Sequence, residues 1–290
     1  MKAFLSLLTE TFRQWNAHRV PRMGAALSFY TVFSLAPLVI FMLSLVSYAV
    51  ERNAARTEIV SQFRAFVGNE GADMVETILT RTAAANTSAW GTLFSLVVLL
   101  VGASGVFGEL QDSLNQIWDV SSKRHPVFTL IKERVLSFAM VFVMGFLMLV
   151  SFLFSAVIAA AGSYLHARLP GLDGPWELGN SVVSLLVTAL LFALIYRVVP
   201  DTRITWQDVL PGSLIAALLF VLGKFVLGFY FGRSPFASNY GAAGSLIIIL
   251  VWVFYSAQIL FFGAEFTRVC ALRYGSRRSD ANAVKSPTRT

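Results

Sequence analysis

Long apolar runs with few or no charged residues are the feature that most restricts how this chain can fold. A helix that crosses the hydrocarbon core of a bilayer needs about 20 mostly apolar residues, and six stretches meet that requirement. They are residues 23–50, 90–108, 135–161, 180–199, 209–231 and 241–269. The sequence therefore predicts an all-α, polytopic membrane protein with six transmembrane helices.

Composition agrees with a membrane location and argues against a water-soluble fold. Charged residues are 13% of the 290 residues and hydrophobic residues 56%, whereas about 25% of residues are charged in a typical soluble domain. So few charges cannot cover the surface of a soluble protein of this size. These values exclude a disordered chain and argue against an ordinary cytosolic enzyme. Cys270 is the single cysteine, so no internal disulfide can form.

The lysine and arginine residues indicate which side of the membrane each loop occupies. Sixteen of the 23 lie before span one, between spans two and three, in the last residues of span four or the loop after it, or in the last residues of span six or after it. Six lie in the remaining loops, and four of these share residues 51–89 with five acidic residues. Because cytoplasmic loops carry the excess of Lys and Arg, we expect both termini in the cytoplasm.

The first 22 residues predict a helix that lies along the cytoplasmic face of the membrane. At helical spacing its apolar side chains share one face: Phe4, Leu8, Phe12 and Trp15. A helix with one apolar face can lie in the membrane interface, and an ordinary helix packed on the bundle fits the same pattern. The basic side chains on this side lead us to expect membrane lipids as partners, with anionic lipids at the cytoplasmic face.

The other segments outside the spans follow from similar patterns. Residues 51–89 predict two short amphipathic helices on the outer, periplasmic face, interrupted at Gly68 and Gly71. Residues 276–290 are polar and rich in small side chains, which predicts a disordered, basic cytoplasmic tail. Between the two ends, residues 23–275 form the predicted six-helix transmembrane domain.

Three long motifs occur in order along the chain. They are AALSFYTVFSLAPLVIF in span one, GASGVFGELQDSLNQIW at the end of span two and NYGAAGSLIIILVWVFYSAQILFFGAEFTRV across span six. These motifs resemble the YihY/BrkB family of bacterial inner-membrane proteins, and the resemblance extends over about residues 10–275. It implies a multi-pass protein of six helices in the bacterial inner membrane. The family has carried the label ribonuclease BN, and the resemblance does not specify a molecular activity.

Lys224 is the strongest candidate for a functional residue because its side chain is charged and lies inside span five. A charged side chain at that depth costs at least ~2.5–3.5 kcal/mol unless it is paired or hydrated. Four small residues share a ridge of the same helix: Gly212, Ala216, Gly228 and Gly232. Such ridges are typical of close helix packing in membranes, so we expect Lys224 to face the bundle interior or a wet cavity. A lysine that snorkels to the interface, or a structural pair, is the alternative.

Two glutamates lie near the predicted cytoplasmic ends of their spans. Glu109 follows Phe-Gly in span two, and Glu265 follows Phe-Gly-Ala in span six. Tyr255 and Gln258 precede Glu265 on one inward, partly polar face and complete the candidate binding or transport residues. Two basic residues are expected at a similar depth: Arg134 and Arg268. The glutamates therefore predict either an ion-pair cluster that clamps the helix ends, or a gate or a proton or cation site.

Pro37 lies inside span one, where it removes a backbone hydrogen bond. We predict a kink at this position. The kink is either a hinge or a bend that only lets the helix pack against its neighbours.

The sequence argues against an enzyme. Its three histidines, at positions 18, 125 and 166, fall in three different segments, and none has a second ligand at metal-binding spacing. Neither a nucleophile elbow, a P-loop nor a dinucleotide-binding turn is present. The basic cytoplasmic rim follows from topology alone. We therefore predict no enzymatic activity, no cofactor and no nucleic-acid partner.

Two functional hypotheses remain. The first is a protein that binds or moves an amphiphilic or anionic solute, such as a lipid or an envelope precursor, and it rests on the buried cation and the flanking amphipathic helices. Since the sequence has no ATPase motif, transport would need a gradient or an energised partner. The second is a non-transporting membrane scaffold of the cell envelope, in which the same charges fix helix packing and an envelope protein is the candidate partner.

Cysteine labelling tests the predicted orientation. A cysteine substituted for Gly174 is expected to react from the periplasm, and one substituted for Ser279 from the cytoplasm, because the charge distribution puts these positions on opposite sides. The reverse pattern in intact cells and inverted vesicles would overturn the orientation.

Overall fold

The computed structural model describes residues 2–46, 53, 56–57, 59–61, 64, 69–84, 102, 105–120, 173–231 and 242–277. Every regular element within these ranges is a helix, which confirms the all-α prediction for them. Predicted span three and most of predicted span two lie outside the described residues. Arg134, Gly232 and the predicted tail beyond Arg277 lie outside them as well.

Seven helices position the candidate site. They are α1 (Lys2–Ala17), α2 (Val20–Val46), α3 (Asn69–Ala84), α4 (residues 105–117), α5 (Asp173–Val198), α6 (Trp206–Phe231) and α7 (Ala242–Arg273). Arg19 adopts a left-handed backbone conformation, with φ of 56°, in the turn between α1 and α2. Pro37 lies within the continuous helix α2, and the kink predicted there stays a prediction.

Three helices within the described residues are long and apolar enough to cross a membrane. Their apolar stretches are Ser181–Val198 in α5, Trp206–Leu227 in α6 and Leu246–Arg273 in α7. These positions correspond to predicted spans four, five and six, while α2 falls mostly within predicted span one. The total of six spans and the orientation of the termini stay predictions.

The chain folds as two compact units, each built from separate stretches of sequence. Unit 1 contains Met1–Gln14, Leu114–Leu219 and Phe262–Thr290, whereas unit 2 contains Trp15–Ser113 and Phe220–Phe261. The first half of α6 and the second half of α7 therefore belong to unit 1. The remaining halves of both helices belong to unit 2.

In unit 1, α6 and α7 run antiparallel in very close contact. A side chain at Gly212 would overlap the Gly263 carbonyl oxygen and the Thr267 hydroxyl. A Cβ added at Gly263 would lie 2.7 Å from the Ala216 Cβ and would overlap the hydroxyl of Tyr196 on α5. Small residues allow such close backbone packing in membranes, and here glycine is the residue that fits.

Asp208 joins the start of α6 to the chain that follows α7. Its buried carboxylate accepts hydrogen bonds from Thr205 Oγ1 at 2.6 Å, from Ser276 Oγ at 2.5 Å and from the Ser276 amide at 3.2 Å. A Cβ at Gly275 would overlap Asp208 Oδ1, so the turn after α7 depends on this glycine. The first residue of the predicted tail is thus bonded to α6.

The amphipathic helix α1 packs by one edge on α7 within unit 1. Leu7 is buried against Phe266 and Val269, and the Phe4 ring lies 6.4 Å from the Phe266 ring. Part of the apolar surface of α1 stays exposed, including Phe4 and Phe12. Helix α1 therefore packs on α7 and keeps part of its apolar surface exposed, and its place in the membrane interface stays a prediction.

Helix α4 continues beyond the predicted end of span two at residue 108. The reason is that buried leucine and isoleucine side chains recur at helical spacing after that point: Leu110, Leu114 and Ile117. The helix ends where Asp119 takes φ of 52°, and the Val120 amide bonds back to the Asn115 carbonyl at 2.9 Å. These features are typical of a Schellman cap.

The stability of the α6–α7 contact can be tested with two glycine substitutions in unit 1. We expect Gly212→Ala to lower the free energy of unfolding by about 1–3 kcal/mol, because the added methyl group overpacks the contact. Gly179→Ala is the matched control, since a Cβ at Gly179 on α5 meets no atom within 4 Å, and alanine favours a helix by up to ~1 kcal/mol.

Thermal unfolding in detergent, followed by a thiol-reactive dye that reacts with the half-buried Cys270, measures both variants. Equal melting temperatures for Gly212→Ala and Gly179→Ala would show that α6 and α7 do not approach as closely as the structure indicates.

Candidate functional site

Lys224 lies in the unit 2 part of α6 and is half-buried. It is about 27 Å along the helix from Trp206 and about 10 Å from Phe231, at 1.5 Å per residue. Its Nζ atom lies 5.8 Å from the centre of the Phe220 ring, within the range of a cation–π contact. None of the ion pairs among the described residues includes this lysine.

The surface of α6 around Lys224 is divided into two sides. Four large apolar side chains near it are strongly exposed: Leu222, Phe225, Val226 and Phe229. The centre of this apolar face lies about 150° around the helix from Lys224, at 100° per residue. Lys224 is therefore on the side of α6 that faces away from the exposed apolar surface.

Aromatic side chains of α7 cover the same part of α6. The Trp252 ring lies 5.9 Å from the Phe220 ring in an edge-on arrangement. Tyr255 lies over Gly223, the residue before Lys224, so closely that a Cβ there would be 2.6 Å from Tyr255 Cζ. The structure thus brings the predicted residue Tyr255 to the backbone beside Lys224.

Gln258 lies further along the same face of α7 and points toward α2. Its amide nitrogen would overlap a side chain at Gly24, so this glycine makes room for the amide. Both polar atoms of Gln258 are buried and have no hydrogen-bond partner among the described residues. A buried amide without a hydrogen-bond partner lowers the stability of the folded protein by about 1–3 kcal/mol. A polar group of a bound solute that formed a hydrogen bond with Gln258 would remove this penalty.

The structure places the two predicted glutamates inside helices rather than at helix ends. Glu265 is fully buried in α7, more than two turns before that helix ends at Arg273. Glu109 is half-buried in α4 and accepts a long hydrogen bond, 3.5 Å, from Ser113 Oγ. Arg268, which was expected near Glu265, forms an ion pair with Asp119.

The environment of Glu109 disfavours its charged form. Burial raises the pKa of this carboxyl above its ordinary value, the charge of Asp112 raises it further, and the hydrogen bond from Ser113 lowers it. Folding therefore favours the protonated acid at this position.

Several polar contacts at the helix ends of unit 1 were not predicted from the sequence. Asn115 holds Asp201 through two hydrogen bonds, of 2.7 and 2.8 Å. Arg277 bonds Thr202, and its guanidinium lies 5.5 Å from the centre of the Trp118 ring. The Thr-x-x-Asp pattern that begins at residue 205 is a helix-start signal that could have identified Asp208, whereas the other contacts join distant parts of the chain.

Three of the four small residues predicted to pack closely lie along α6. Gly212 and Ala216 contact Gly263 of α7 in unit 1, Gly228 lies within α6, and Gly232 follows the last described residue of that helix. In the part of the chain that the structure describes, no three His, Cys, Asp or Glu side chains form a group that could hold a metal ion.

Membrane-length helices with a half-buried lysine and a buried glutamate define an integral membrane protein. The family described as "Virulence factor BrkB" matches residues 11–287, and the chain belongs to this family.

Two of the similar proteins carry membrane-protein names. A UPF0761 membrane protein of Actinobacillus pleuropneumoniae is 27% identical, over 91% of this chain and 92% of its own. The UPF0761 membrane protein PSPA7_4558 of Pseudomonas paraeruginosa is 30% identical over 92% of this chain and 65% of its own length. YfkH of Bacillus subtilis, described as ribonuclease-like, is 24% identical over 90% and 94%. No solved structure matches the chain.

The pKa of Glu109 predicts how stability depends on pH. Because the pKa is raised in the folded state, ionisation opposes folding, and this loss develops as the pH rises above the ordinary carboxyl value of 4.5. We expect Glu109→Gln to melt at a higher temperature than the natural protein at pH 7, with the difference disappearing toward pH 4. Asp112→Asn should act in the same direction more weakly.

Melting temperatures measured between pH 4 and pH 8 check this expectation. A lower melting temperature for Glu109→Gln at pH 7 would instead indicate that a cation stabilises the carboxylate, as the ion-pair cluster requires.

Proposed function

We propose that the protein binds an amphiphilic, anionic solute at Lys224 and moves it across the bacterial inner membrane, a lipid or an envelope precursor being the expected class. The observation that carries the proposal is the position of Lys224 on α6, about 150° from the exposed apolar face at 100° per residue. A lysine that only snorkelled beside lipid tails would be expected on the apolar face instead.

The chemistry around Lys224 suits a molecule with an anionic head and an apolar body. An ammonium group forms strong, charge-assisted hydrogen bonds with phosphate or carboxylate oxygens, and such an anion would offset the cost of the buried charge. The rings of Phe220, Trp252 and Tyr255 offer apolar surface beside it. The unpaired amide of Gln258 provides a further polar group on the same face of α7.

A membrane scaffold is the second candidate function, and the packing of unit 1 favours it. The glycine contact between α6 and α7, together with the Asp208 hydrogen bonds, makes a rigid frame that needs no solute. In that case the lysine and the glutamates would serve helix packing alone. The ribonuclease-like description belongs to YfkH, and we propose no nuclease activity for this chain.

Lipid translocation in proteoliposomes with an imposed proton gradient and membrane potential tests the proposal, because transport without an ATPase motif would need a gradient. The probe is phosphatidylglycerol with a nitrobenzoxadiazole label on one acyl chain, and dithionite bleaching measures how much of it reaches the outer leaflet. Hydrogen bonds to a charged group contribute about 1.5–3 kcal/mol, so Lys224→Met should weaken solute binding about 10- to 100-fold. We therefore expect its translocation rate, measured above that of protein-free vesicles, to fall by about the same factor.

Two matched variants serve as controls. Lys224→Arg keeps the charge and should keep translocation, and Phe225→Met changes the adjacent residue, which is 73% exposed, and should leave the rate unchanged. Unchanged translocation by Lys224→Met would contradict the role of this lysine. Absence of translocation by the natural protein would favour the scaffold.

A further inference from the structure

The amphipathic segment before and within α3 packs on α2 far from the end of that helix. Its buried core consists of Ile59, Val60, Ala72, Val75 and Leu79, and Leu35 of α2 packs against this core. Leu35 precedes the end of α2 at Val46 by 11 residues, which is about 17 Å at 1.5 Å per residue.

This distance is large compared with the membrane. The hydrocarbon core of a bilayer is about 30 Å thick, and Leu35 lies near the middle of predicted span one, residues 23–50, so this contact is close to the middle of the core. The described part of this segment, which the sequence predicts on the outer surface, therefore contacts α2 deep along that helix.

The side of α3 that is turned away from the buried core is polar. Four of its side chains are exposed and lie within one arc of about 100° at helical spacing: Asp73, Glu76, Thr77 and Thr80. Arg56 pairs with Glu76 at 3.2 Å and bonds Thr80 at 2.7 Å, and the Glu76 side chain remains 49% exposed.

This polar face is incompatible with acyl chains at the depth of Leu35. A charge in the hydrocarbon core is costly unless it is paired or hydrated, and polar groups at membrane depth occur where they are buried in protein or border water. If α2 lay further outward instead, residues 36–46, whose sequence contains no charged side chain, would leave the hydrocarbon core for water.

We propose that the polar face of α3 forms one wall of a water-filled vestibule, which opens to the outer side of the membrane and reaches the level of Leu35. The vestibule belongs to unit 2 and holds water that hydrates Asp73 and Glu76. It does not depend on solute binding at Lys224, so it exists in a transporter and in a scaffold alike.

Cysteine accessibility tests the vestibule. The variants are made in a Cys270→Ala protein and treated in spheroplasts with a membrane-impermeant, cationic methanethiosulfonate, which reacts with ionised thiols in water. We expect complete labelling of Thr77→Cys from the outer side. Phe33→Cys is the matched control, because Phe33 lies on α2 within one turn of Leu35 and is 67% exposed on an apolar surface, and it should stay unlabelled.

Each outcome decides the proposal. Labelling of Thr77→Cys without labelling of Phe33→Cys supports the vestibule. It is overturned if Thr77→Cys stays unlabelled, if it reacts only in inverted vesicles, or if both variants react, which would mean that α2 leaves the membrane at this level. Thr80→Cys tests the same face should Thr77→Cys fail to fold, with monodisperse elution in detergent as the criterion of folding.

Discussion

The close contact of α6 and α7 in unit 1 is the interaction on which the described structure depends most. At Gly212 and Gly263 the backbones touch, so the distance between the helices is set by glycine. Asp208 then fixes their alignment through its hydrogen bonds to Thr205 and Ser276. Apolar side chains gain little by leaving lipid for a helix interface, so close packing and polar bonds are the main stabilising interactions inside a membrane.

The positions of the helices that are long enough to cross a membrane could be predicted from the sequence. The residues at which the helices begin and end could not. An apolar run of about 20 residues with few charges is sufficient to identify α5, α6 and α7, because the bilayer requires a minimum length. The extension of α4 to residue 117 was not predicted, since hydropathy follows contact with lipid, whereas Leu114 and Ile117 are buried by protein. Residues 135–161 lie outside the described part of the chain.

The candidate site was predictable only in part. Lys224 stands out because a single charge in an apolar run is rare and costly. Whether Trp252 and Tyr255 lie near Lys224 depends on how α7 is aligned with α6. Helical periodicity within one segment does not specify that alignment. The ion pair between Arg268 and Asp119 could not be predicted either, because it joins two residues that are far apart in the sequence.

The central claim is that Lys224 serves an anionic solute rather than helix packing alone. An experimental structure in nanodiscs that contain phosphatidylglycerol tests this claim most directly. The account predicts a groove that reaches Lys224, with headgroup density within hydrogen-bonding distance of its Nζ atom. A lysine that extends to the outer boundary of the membrane, with protein packed around its stem and no lipid density at the amine, would contradict it.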